Sequence, residues 1–101
     1  MSTFEVINAG GPVNVPLSPA VRAGDYIFVS GQVPVNPGTG EIIGQTVGEQ
    51  TEVVLQRINT ILQAAGSSLT DVIKTTVFMT NIKQFAEMNE AYQKLFPNKL
   101  P

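Results

Sequence analysis

Ser30 and Gly31 follow directly on the apolar run Tyr26-Ile27-Phe28-Val29, so a strand ending there presents a hydroxyl and a glycine amide side by side. Such a pair can orient a polar ligand, or it can simply close a strand. Asn89 stands among Phe85, Met88, Tyr92, Leu95 and Phe96 at helical spacing. An amide on that face costs about 1–3 kcal/mol if buried without a partner, so it calls either for a backbone group or for a ligand. Arg22 and Arg57 are the only arginines, the residue type best suited to bidentate carboxylate binding. Their places, beside the Gly24-Asp25 turn and on the polar side of a helix, suit solvent better. The carboxylate pairs Glu49/Glu52 and Glu87/Glu90 lie on outward helix faces and read as solubilising charge.

The missing residue types exclude more. The 101 residues contain no His and no Cys. A Ser-His-Asp triad, a thiolate nucleophile, a disulfide and an ordinary zinc site are therefore out of reach, and no metal or cofactor is called for. Gly38-Thr39-Gly40 through Gly44 misses the dinucleotide fingerprint in spacing and context. Eight acidic against six basic residues give a net charge of -2, without the basic stripe that nucleic acid requires. No apolar stretch approaches the ~20 residues of a membrane span, and the opening Met1-Ser2-Thr3-Phe4-Glu5-Val6 lacks a secretory pattern. A cytoplasmic protein without a membrane partner is expected.

The elements that must position these residues read in order. Phe4 and Val6 alternate with Thr3 and Glu5 in a short half-buried strand that Gly10, Gly11 and Pro12 end. Pro12, Pro16 and Pro19 make residues 12–22 an irregular connector. Tyr26 to Val29 reads as the central strand, buried on both faces. Asn36-Pro37-Gly38-Thr39-Gly40 turns a small hairpin joining 32–35 to 41–43. Thr46 and Glu49 form a capping box for a helix over 46–65, with Val47, Val54, Leu55, Ile58, Ile61, Leu62 and Ala65 inward and Gly66 as its stop. A single turn at 68–71 leads to a β-branched strand over 73–80, expected in one sheet with 26–30. A second helix over 83–96, which Asn81 or Gln84 caps, ends before Pro97. Two helices cover one face of such a sheet, so its other face needs a partner chain or further chain.

Several segments in order, Ser18-Pro19-Ala20-Val21-Arg22-Ala23-Gly24-Asp25, Val29-Ser30-Gly31-Gln32, Pro34-Val35-Asn36-Pro37-Gly38-Thr39-Gly40-Glu41, Val72-Ile73-Lys74-Thr75-Thr76-Val77-Phe78 and Phe85-Ala86-Glu87-Met88-Asn89-Glu90-Ala91-Tyr92, resemble the reactive intermediate deaminase family, also called Rid, YjgF or endoribonuclease L-PSP. The resemblance implies an α+β, chorismate-mutase-like fold: a sheet with two helices on one face, here one domain over residues 1–101 lacking the C-terminal strands. It implies a homotrimer with clefts between subunits that hydrolyses reactive 2-imino or enamine acids to 2-keto acids and ammonia. Ser30, Gly31 and Asn89 would line the cleft, with Leu17 where many of the deaminases have Tyr. The catalytic residues of this chain stay unknown, because the family's carboxylate-binding Arg and its acidic residue would lie beyond Pro101. The alternative is a non-catalytic small-molecule-binding or chaperone-like member. Ribonuclease and translation inhibitor are names the family carries, and the charge balance argues against them.

Overall fold

The computed structural model describes residues 3–9 and 15–101. The expected stop at Gly10, Gly11 and Pro12 lies outside the described residues. Three short strands, β1 (Glu5–Ile7), β2 (Ala20–Ala23) and β3 (Tyr26–Val29), form an antiparallel sheet in the order β1-β2-β3. β2 is its middle strand, within the stretch read as connector. The prolines forbid a ladder only up to Pro19; from Ala20 onward every residue can donate, and Ala20 faces Val29 while Ala23 faces Tyr26 across the Gly24-Asp25 turn. β3 is thus an edge among the described strands, not the centre.

Register decides which side chains meet the helices. Glu5, Ile7, Ala20, Arg22, Ile27 and Val29 share one face, since directly paired residues point the same way. There Ile7 and Ala20 are buried with Ile61, and Ile27, Val29 and Ala65 pack around them. Val6, Val21, Tyr26 and Phe28 share the other face, where Tyr26 is 58% and Phe28 61% exposed. The expectation that β3 is buried on both faces is therefore corrected for the single chain. In β1 the parity is also reversed: Ile7 is buried and Val6 exposed, because the helix lies on the Ile7 side.

The covering helix is α1 (Val47–Ala64). The Thr46 hydroxyl accepts from the Glu49 N–H at 3.1 Å, and the Glu49 carboxylate accepts from the Gln45 N–H at 3.1 Å, closing the capping box one residue earlier than the usual pattern. At the other end the Gly66 N–H donates to Gln63 and the Ser67 N–H to Leu62, a Schellman closure made possible by φ of +81° at Gly66. Leu55, Ile61 and Leu62 are its buried residues, as the periodicity predicts. A 3₁₀ turn at Leu69–Asp71 follows.

Residues 72–79 then depart from expectation. They form no helix, turn or ladder, and apart from the Val72 N–H, which closes the preceding 3₁₀ turn onto the Leu69 carbonyl at 3.1 Å, none of their backbone groups is hydrogen-bonded to another described backbone group. β-branched composition favours a strand only when a neighbour supplies the ladder, and among the described residues none does. Ile73 is 74% and Phe78 92% exposed; the Thr75 hydroxyl shares a 2.7 Å hydrogen bond with that of Tyr92. The Asn81 side chain accepts from the Lys83 N–H and starts a 3₁₀ turn, Ile82–Gln84, which runs into α2 (Phe85–Leu95). α2 packs against α1 rather than over the open sheet face, with Met88, Ala91 and Phe96 buried. Phe85 and Asn89, both placed on the apolar face by spacing, are exposed.

Gly66→Ala should cost about 1–2 kcal/mol by forcing a Cβ into left-handed backbone, lowering Tm by at least about 4 °C. Gly31→Ala, where φ is not positive and a Cβ meets nothing within 4 Å, should leave Tm unchanged. Equal melting of Gly66→Ala and the parent chain would contradict the closure described.

Candidate functional site

The β2-β3 register extends one pair beyond the strands, to Pro19 and Ser30. The Ser30 N–H donates to the Pro19 carbonyl at 3.0 Å, but Pro19 has no N–H to return the bond. The Ser30 carbonyl is served instead by the Gln32 side-chain amide at 3.2 Å. The Ser30 hydroxyl donates to the Ser18 carbonyl at 2.5 Å. Its proton is committed to the neighbouring chain segment, leaving oxygen lone pairs for any ligand. Gly31 is exposed, and its N–H meets no acceptor among the described residues. Leu17 precedes Ser18; its N–H closes a tight turn onto the Val15 carbonyl at 2.8 Å, and its side chain is 51% exposed. Hydrogen bonding and chain connectivity thus gather Ser30, Gly31 and Leu17 at one end of the β2-β3 pair.

Asn89 stands apart from that group. It lies on α2, exposed, with no side-chain hydrogen bond among the described residues and none joining it to Ser30 or Gly31. Water satisfies its amide, which removes the burial cost inferred from spacing. The apolar face of α2 is narrower than the sequence pattern suggests because α1 covers only the Met88 and Ala91 side.

Both arginines are bound rather than solvated. Arg57 donates from Nη1 to the Val33 carbonyl at 2.8 Å and from Nη2 to the Val35 carbonyl, clamping the 33–43 hairpin to α1. That hairpin is held at its base by Asn36 N–H to Glu41 and Ile43 N–H to Pro34, around the single bridge Val35 to Ile42. Arg22 donates from Nη2 to the Ala65 carbonyl at 2.6 Å, just past the C-terminal end of α1, and lies 3.7 Å from the Glu5 carboxylate. A cation at that helix end also meets the negative end of the helix dipole. Glu87, expected to be a surface charge, accepts from the Gly48 N–H at 2.9 Å and so caps α1 from α2. The sequence hints at the Arg57 clamp only through an arginine beside the apolar stripe; nothing in it signals the Ser18 or Gly48 contacts.

The sequence model of the endoribonuclease L-PSP family matches residues 10–101. The chain belongs to this family, the Rid/YjgF/L-PSP proteins. It is 46% identical over 94 residues to the RutC family protein PH0854 of Pyrococcus horikoshii, an alignment spanning 93% of this chain and 74% of that protein. To Reactive Intermediate Deaminase A of Arabidopsis thaliana it is 37% identical, over 85% of this chain and 46% of that one. Among solved structures, E. coli TdcF with bound serine superposes with a TM-score of 0.79 at 38% identity, covering all of this chain and 80% of that one. The sheet and helices described above are the α+β fold of this L-PSP group.

Arg57→Met keeps the aliphatic stem and deletes both hairpin contacts, each to a charged donor. Unfolding free energy from urea titration should fall by about 1.5 kcal/mol, with Arg57→Lys intermediate because a single ammonium does not span both carbonyls. Coincident urea midpoints for all three chains would show that the hairpin is held by other contacts.

Proposed function

We propose that this L-PSP protein is a 2-imino/enamine acid deaminase that works as a cytoplasmic homotrimer, hydrolysing reactive imines to 2-keto acids and ammonia in a cleft between subunits. The observation that carries the reading is the strand end where Ser30, Gly31 and Leu17 meet, in a chain whose relatives include a reactive intermediate deaminase and a structure holding a bound amino acid. The trimer is supported by the apolar sheet face that α1 and α2 leave open. No helix of the described residues is long and apolar enough to cross a membrane.

The chemistry suits a site without histidine. Water adds to the imine carbon, the carbon-oxygen bond forms as the C=N pair moves to nitrogen, and the carbinolamine expels ammonia to leave the keto group. The substrate is reactive already, so the site need only hold it and a water in line. In this reading the unpaired Gly31 N–H donates to a ligand oxygen, the Ser30 oxygen accepts, Leu17 forms an apolar wall, and Asn89 of α2 lines the cleft. Both arginines of this chain are engaged with carbonyls, so the substrate carboxylate is left to the arginine that the family pattern places after Pro101. That same engagement favours the second reading, a small-molecule-binding member without turnover.

An imine generated in situ from serine by a dehydratase, and trapped with semicarbazide, separates the two. A chain extended by the family's arginine motif should suppress trapping. The 101-residue chain should fall short by roughly ten- to a hundredfold, the worth of a charge-assisted bidentate contact. Full suppression by the short chain would place the carboxylate on another group, and suppression by neither would leave the binding reading ahead.

A further inference from the structure

Ser30 spends two bonds on consecutive carbonyls of one segment: its N–H on Pro19 and its hydroxyl on Ser18. In an uninterrupted antiparallel ladder the residue facing Ser30 would return a backbone bond, and Pro19 cannot. The hydroxyl supplies the missing second tie one residue further along, where the two chains begin to separate. We propose that Ser30 is a positioning residue whose hydroxyl replaces the ladder bond lost at Pro19 and holds the Val15–Pro19 connector, and with it Leu17, at the end of β3.

The consequence concerns Leu17. Among the described residues its backbone is fixed on one side by the turn onto Val15 and on the other through Ser18, whose carbonyl is the acceptor of the Ser30 hydroxyl. Its half-exposed side chain is packed too little to fix itself. Removing the hydroxyl therefore frees the apolar residue tethered at the strand end that Gly31 follows, without disturbing the Ile7-Ala20-Ile61 core. If the deaminase reading holds, the effect falls on substrate fit, because the Ser30 proton is not available to the reacting atoms.

The test is amide exchange measured on the chain without ligand. In Ser30→Ala the Leu17 N–H should exchange about five- to tenfold faster, the size of one net hydrogen bond, while amides of α1 and of Ile27 keep their rates. Ser30→Thr, which retains a hydroxyl, should restore the parent rate. Pro19→Ala returns a backbone donor to the pair, so in that background Ser30→Ala should accelerate Leu17 less than about threefold. Unchanged Leu17 exchange in Ser30→Ala, or the same acceleration in both backgrounds, overturns the proposal. In the trapping assay with an active form, Ser30→Ala should raise KM several-fold and keep kcat. A fall in kcat with normal Leu17 exchange would make Ser30 a catalytic residue and overturn it too. Absence of activity in every form, with exchange altered as expected, would sink the deaminase reading and leave the positioning role standing.

Discussion

Val6, Val21, Ala23, Tyr26 and Phe28 lie on the face of the sheet that α1 leaves uncovered, and an apolar face of this extent in water is the constraint on which the protomer depends. Fully burying one side chain of the Val or Phe class contributes about 1.5–3 kcal/mol, so the face is worth more than many small domains have in reserve. α1 and α2 cannot supply the cover, because α2 is committed to α1. The proposed trimer answers that constraint.

The few charged side chains, 14% of the chain, hold the architecture together. Arg57 takes two hairpin carbonyls, Arg22 a carbonyl beyond the end of α1, and Glu87 an amide at its start. Each bridges elements distant in sequence at a place where the backbone would otherwise offer an unmatched group to solvent. What is left near Ser30 among the described residues is unpaired backbone N–H groups, that of Gly31 among them, with oxygen lone pairs and an apolar side chain. That is a poor set for proton transfer and a reasonable one for holding a small, already reactive molecule.

The elements legible in the sequence are those whose cause is local. Thr46, Glu49 and Gly66 bound α1 because a cap and a left-handed stop act within one turn, and Asn36 through Gly40 turn the hairpin for the same reason. β2 is hidden in the sequence because Pro16 and Pro19 lie just upstream and mask a strand that needs only Ala20 to Ala23. Residues 73–80 look like a strand in composition, but a strand is a relation between two segments, and composition names one. At the site, Ser30 and Gly31 are visible as the end of an apolar run; the commitment of the hydroxyl to Ser18 depends on register across a turn, and the exposure of Asn89 in the single chain is hidden because helical spacing does not say how wide a neighbour is.

The most direct test of the central claim is the mass of the protein in solution by light scattering, for the parent chain and for Phe28→Glu. If copies of this chain cover the open sheet face, the parent should have three times the 10.8 kDa protomer mass, and a charge at Phe28 should convert it to monomer with α1 still helical by circular dichroism. A parent chain that remains a stable 10.8 kDa monomer at tens of micromolar, or a Phe28→Glu variant that assembles as before, would contradict the account.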